Sequence, residues 1–205
     1  MKSFSLLGLI VSDMKQRDNN METTGKTTEK EALAEKALKV NKIFDVFFPG
    51  NIGYKKITAK KLQLAGVDYE VYFPDDKVVY VDLKTGIGPD YSMKQEDYTI
   101  PHRIIGRQPA LALEVYQYGQ FTNTKSKMTD YFIYYIKDDY QEAFYLVPYI
   151  DVRNICLKHK KTFKIVNGVA KEAFNGEYAV HKSFNGTGDY IKVPASSVAV
   201  KELQI

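Results

Sequence analysis

Cysteine is almost missing from the chain: Cys156 is the only one in 205 residues. A single thiol excludes a disulfide framework and a thiolate-held metal. Histidine is scarce too. His102, His159 and His181 lie far apart and none stands in an HxH or HExxH spacing, which speaks against a zinc centre. No apolar run comes near the ~20 residues that a membrane span needs. Nor does one charge prevail, since 29 Lys and Arg against 25 Asp and Glu leave a net charge of +4. That balance tolerates a polyanionic partner without demanding one.

Lysines do gather locally, at Lys55, Lys56, Lys60 and Lys61, and again at Lys158, Lys160 and Lys161 around His159. Taken alone, each cluster reads as a solvated face. The apolar stretch 4–11 follows Lys2, yet it is short, lacks a small-residue cleavage site and runs into the polar SDMKQRDNN. It predicts an N-terminal strand or mobile tail over 1–28 and a cytoplasmic protein, not a secretion signal.

What is present is the composition of a folded protein, 44% apolar and 26% charged. The length suits one domain with elaborations. Thr28 with Glu31 fits a capping box. Leu33, Ala37, Val40, Phe44 and Phe47 then recur at spacings of 4, 3, 4 and 3, one face of a helix that Pro49 and Gly50 end. Extended back one turn, that face reaches Glu29, while Glu31 and Glu35 point away.

From Val67 the period becomes two. Residues 67–73 and 79–84 alternate about the turn residues Pro74, Asp75 and Asp76, a β-hairpin whose second strand ends in Asp82, Leu83 and Lys84. Residues 85–109, with their Gly and Pro, read as a long loop. Residues 110–118 read as a strand, and 131–136 with 143–147 as another hairpin. A short helix over 150–158 follows, then strands broken at Asn167-Gly168 and Asn185-Gly186. No GK[ST] follows Asn185-Gly186-Thr187-Gly188, so that segment is a turn and not a phosphate loop. The sum is α/β, or α+β, with an N-terminal helix ahead of a mixed central β-sheet.

The first hairpin fixes a geometry. A slip of one residue flips every side chain, so burying Val67, Val71, Val79 and Val81 together restricts the register, and the turn sets 73 opposite 77. Asp68 then stands opposite Asp82, with Lys84 one step further on the same side. Directly opposed Cβ atoms are ~4.5–5.5 Å apart. Two carboxylates so close repel unless a cation lies between them or one is protonated. Mg²⁺ suits the donors, since it takes oxygen ligands and keeps several waters. Asp68, Asp82 and the backbone carbonyl of Leu83 would supply part of its shell and a phosphate oxygen the rest, with Mn²⁺ as a substitute. Such a metal polarises a phosphoryl group, and Lys84 beside it could orient the attacking water or stabilise charge. The bland alternative is a structural cluster in which Lys84 neutralises one carboxylate.

Asp-x-Lys alone means little, for it occurs three times in this lysine-rich chain. Joined to an opposed Asp, it resembles the PD-(D/E)xK, or restriction-endonuclease-like, nuclease superfamily: a helix, then Gly66-Val67-Asp68, then Val81-Asp82-Leu83-Lys84. More narrowly, QLAGVDYEV, VYVDLKTG, PALALEVY and KSKMTDYFIYY are similar to a branch found in phages and mobile elements. The likeness covers roughly residues 29–150, which implies a nuclease core there and a C-terminal elaboration of the same domain over 151–205. It implies a Mg²⁺-dependent nuclease acting on nucleic acid, DNA favoured, with Asp68, Asp82 and Lys84 catalytic. It also implies a role for Glu114 beside the metal, a helix glutamate such as Glu29 completing the site, and a homodimer able to cut two strands. Val67 stands where the motif has proline. Members that only bind nucleic acid share the fold, so a catalytically silent binding module is the alternative.

Other residues have two readings each. Gln63 with the lysines before it would approach a phosphate backbone or merely decorate the surface. Thr129 and Asp130 read as residues that open a strand. Tyr131, Tyr134 and Tyr135 read as one wet face of a sheet, or as stacking surfaces for bases.

Overall fold

The computed structural model describes residues 24–87, 92–97, 103–114, 128–139, 141–159, 161–174, 178–182 and 189–205. The expected N-terminal strand or tail, the end of the expected 110–118 strand and the turn at 185–188 lie outside them. The chain divides into two compact units, 1–37 and 38–205, and every described strand belongs to the second.

The first helix, α1, spans Thr24–Val40, and a five-residue helix, α2, spans Ile43–Phe47. The expected single helix is therefore two. Between them Lys42 takes a left-handed conformation (φ 47°), and this break shifts the helical phase. The expected face fails in its first half: Val40 is 71% exposed, whereas Ala34 and Leu38 are buried. On α1, Glu29 and Glu31 are both exposed and Glu35 is half-buried. The face that singles out Glu29 is therefore not the buried one. The second half, Phe44 and Phe47, is buried as expected.

After β1 (Gly53–Lys56) and a helical turn, α3 (Lys60–Leu64), come β2 (Tyr69–Tyr72) and β3 (Val78–Ile87). The hairpin has the register that burying its valines requires, Tyr69↔Val81 and Val71↔Val79. It differs in length. Strand β3 runs on through Ile87, so Asp82, Leu83 and Lys84 are interior to a strand and not at its end. They pair in parallel with Phe132, Ile133 and Tyr134 of β6 (Tyr131–Lys137).

The expected loop over 85–109 is also largely strand, with β4 (Ser92–Asp97) pairing antiparallel with β5 (Arg103–Glu114). Strand β4 (SMKQED) is largely polar and its pairing is bulged at Gln95/Glu96, so it carries none of the Val/Ile alternation that marks a strand. Pro109 is tolerated because the ladder on its other side begins only at Ala110.

Strand β7 (Glu142–Pro148) leads into α4 (Tyr149–Lys158), close to the expected helix. Then follow β8 (Lys161–Val166), β9 (Val169–Phe174), β10 (Val180–Lys182), β11 (Asp189–Pro194), a 3-10 turn at Ala195–Ser197 and β12 (Lys201–Gln204). Three sheets result: a six-stranded mixed sheet in the order β1-β2-β3-β6-β7-β12, a four-stranded sheet β10-β11-β5-β4, and the pair β8-β9. The class is mixed α/β with few helices, compatible with α+β.

Both faces of the six-stranded sheet are covered. On one, Phe44 of α2 stacks on Tyr54 (ring centroids 4.2 Å apart) and packs on Tyr69 (5.1 Å), and Phe48 meets Tyr131 edge-on (5.6 Å). On the other, Phe132, Tyr134 and Ile136 join Leu111 and Leu113 of β5, Ile191 and Val193 of β11, and Val152 of α4 in one core. The reading of the Tyr-rich strand as half-wet is overturned: residues 132–136 are all buried. A central strand buried on both faces loses the alternation of a half-exposed one. Among the described residues, no helix is long and apolar enough to cross a membrane.

Candidate active site

Asp68 is placed by the turn that precedes it. Gly66, left-handed at φ 77°, ends α3, its N–H bonding to the Gln63 carbonyl (2.9 Å). On the side toward β6, the Thr129 hydroxyl donates to the Gly66 carbonyl, and the Met128 N–H donates to the Ala65 carbonyl at 3.0 Å. On the other side the Ile57 N–H donates to the Asp68 carbonyl at 2.8 Å. Gln63 bears on this only at one remove, its side-chain amide donating to the Ile57 carbonyl (3.0 Å). Thr129 and Asp130 open β6 as expected: the Asp130 carboxylate accepts the Tyr80 N–H (2.8 Å) and its own N–H bonds to the Tyr80 carbonyl (2.9 Å).

The β2–β3 pairing ends at Tyr69↔Val81, and there the Asp68 N–H turns to the same Val81 carbonyl (2.9 Å), which leaves the Asp68 carboxyl beside that of Asp82. The Leu83 N–H donates to Asp68 Oδ2 at 2.9 Å. Asp82 is 2% exposed, and its Oδ1 lies 2.8 Å from the Nζ of Lys84. That ammonium also lies 5.9 Å from the ring centroid of Phe132, a neighbour across the parallel pair that periodicity in the sequence does not reveal. Asp82 Oδ2 is buried and accepts no hydrogen bond from any described residue.

A buried carboxylate oxygen without a donor is costly, and the electrostatics of its neighbour show the strain. Burial, the negative charge of Asp82 and a carboxyl–carboxyl hydrogen bond together push Asp68 up to about 6, against the opposing pull of the Leu83 amide and the Lys84 charge. One lysine balances one carboxylate. The pair holds either a proton or a further cation.

The donors fit a hard divalent cation. Asp82 Oδ2 and the Asp68 carboxylate are two anionic oxygens, the ligand type that Mg²⁺ and Mn²⁺ prefer. The Leu83 N–H points toward the β2 side, and by the alternation of the pleat its carbonyl points the same way, past the last β2–β3 pair. Among the described residues no three His, Cys, Asp or Glu side chains converge, so the protein's share would be two carboxylates and a carbonyl. Glu114 ends β5, in register with Tyr190 in the four-stranded sheet and not in the sheet that carries Asp68 and Asp82. Its side chain lies outside the described residues.

Compared with family models, with curated proteins and with solved structures, the chain matches none.

Proposed function

We propose that the protein is a Mg²⁺-dependent nuclease built on a restriction-endonuclease-like core, hydrolysing phosphodiester bonds of nucleic acid, with DNA its preferred substrate. The observation that carries this reading is the buried Oδ2 of Asp82, which no described residue's donor reaches, in a carboxylate that has Lys84 on its other oxygen and Asp68 as a close neighbour. A structural ion pair alone leaves that second Asp82 oxygen without a partner. A Mg²⁺ bound there supplies Lewis-acid polarisation of the phosphoryl group and of an attacking water.

The chain's own residues do the rest. The Leu83 amide and the turn at Gly66 fix the Asp68 carboxylate. The Asp82 carboxylate anchors Lys84, whose ammonium then sits at the edge of the site. From there it orients the water and offsets the charge that develops on the phosphate in flight.

A catalytically silent nucleic-acid- or protein-binding module is the second reading, favoured by one fact: Lys84 already has Asp82 and the Phe132 ring to serve. Hydrolysis of a mixed nucleic-acid panel with Mg²⁺ or Mn²⁺, comparing the parent with Lys84→Ala, separates the two. Metal-dependent cleavage that disappears in the variant supports the nuclease. No cleavage of any substrate by a folded parent leaves the binding module, and equal cleavage by both proteins places the chemistry elsewhere.

A further inference from the structure

Among the described residues, strands β8 and β9 pair only with each other. An isolated two-stranded hairpin is marginal in water, so such an element invites a partner. Its composition says which. Residues 161–174 hold three lysines (Lys161, Lys164 and Lys171) against one glutamate, a net charge of +2, and Lys158 and Lys160 stand just before them in the sequence. Lys164 and Lys171 occupy directly opposed register positions. Like charges opposed across a strand pair are unfavourable until a polyanion lies over them.

The end of the hairpin has a different chemistry. Asn167 and Gly168, at φ 53° and 77°, make a tight turn with both central residues left-handed. Beside it Ile165 is 79% and Val169 59% exposed. The result is a narrow, apolar-tipped ribbon with lysines one pair further in.

We propose that the β8–β9 hairpin is a duplex-DNA arm of this protein, its tip entering the major groove and its lysines meeting the flanking phosphates. A two-stranded ribbon fits the ~12 Å major groove of B-form DNA, whereas the deep, narrow groove of A-form RNA refuses it. Apolar tip residues suit thymine methyls and base edges, and lysines suit phosphate oxygens. The choice of duplex over single strand deepens the proposed nuclease reading and rests on it for the chemistry, but the arm's binding can be measured without catalysis.

The test is fluorescence anisotropy of a labelled random-sequence DNA duplex in EDTA, across a salt series, for the parent, Lys164→Gln/Lys171→Gln and Ile165→Ser/Val169→Ser. The lysine pair variant should bind about tenfold or more weakly at low salt, with a log–log salt slope shallower by about 2. The tip variant should lose duplex affinity with the slope kept, and duplex RNA should bind the parent more weakly than duplex DNA. Parent-like affinity and slope in both variants would overturn the arm. So would a parent that binds no duplex, or a change of oligomeric mass in place of a change in DNA affinity, which would assign the hairpin to a second copy of the chain. Hydrolysis of bis(p-nitrophenyl) phosphate with Mn²⁺ separates the two ideas. It should be equal in parent and arm variants, and its absence in a parent that binds duplex would end the nuclease reading while leaving the arm.

Discussion

Lys84 reaches back along its own strand to Asp82, Nζ to Oδ1 at 2.8 Å, so a residue expected to act on substrate also neutralises a carboxylate that is 2% exposed. The two roles separate by stability. Lys84→Ala leaves a buried charge without its partner, which should destabilise the metal-free fold by about 2–3 kcal/mol. Adding Mg²⁺ should recover a large part of that loss, since the cation takes over the neutralising role. Urea denaturation with and without Mg²⁺ measures both; an unchanged midpoint in EDTA would mean that Asp82 is not held by Lys84 in solution.

Asp68 sets the pH dependence. An acid whose folded pKa, here about 6, lies above its ordinary 3.8 holds its proton more tightly when folded. Across that window the folded state binds more protons than the unfolded one, so metal-free stability falls as pH rises through it. Burial and then Asp82 drive the shift, and the Leu83 amide and Lys84 oppose it. A divalent cation must displace this proton to bind. The gain in Tm on adding Mg²⁺ or Mn²⁺ should therefore be large at about pH 8 and small at about pH 5. Equal gains at both would count against a metal at this pair.

The register of the first hairpin was legible because four valines must share one face and period-two geometry leaves no intermediate slip. That constraint carries the pairing as far as Tyr69↔Val81, and Asp68 is then held there by its N–H on the Val81 carbonyl and its carboxylate on the Leu83 N–H. The continuation of β3 through Lys84, Thr85 and Gly86 was not legible, because such residues lie inside a strand only when tertiary pairing overrides propensity, here the parallel partner β6. Helical phase was lost at Lys42, since nothing in a lysine announces a left-handed backbone. The β4–β5 pair was missed for its polar residues and its bulge. Phe132 entered the site through parallel pairing, which no local pattern encodes.

Thr129 offers a way to disturb the site without touching it. Its hydroxyl, buried at 4% exposure, bonds to the carbonyl of Gly66, two residues before Asp68. Thr129→Val keeps the shape and removes the donor, which should cost about 1–2 kcal/mol of stability. Loosening the turn should also weaken Mn²⁺ binding by a few-fold, read by calorimetric titration. Loss of stability with Mn²⁺ affinity fully kept would show that the turn does not position Asp68.

The last strand protects the sheet. Strand β12 pairs with β7 from Lys201↔Leu146 to Gln204↔Ala143, covering the edge of a strand whose Ala143, Phe144, Tyr145, Leu146 and Val147 are all buried. Lys201 also donates from Nζ to the Phe47 carbonyl at 2.8 Å, satisfying the C-terminal end of α2. With Lys201, Glu202 and Gln204, the outermost strand is polar enough to discourage edge-to-edge pairing, whereas β7 is not. Deleting residues 201–205 should therefore convert a well-behaved species into aggregate on size-exclusion chromatography. Lys201→Met, which keeps the strand and removes the donor, should stay soluble and lose only about 1–2 kcal/mol in urea. A soluble, parent-like deletion would show that β7 tolerates an open edge, and that the C-terminal strand contributes little to the sheet carrying Asp68 and Asp82.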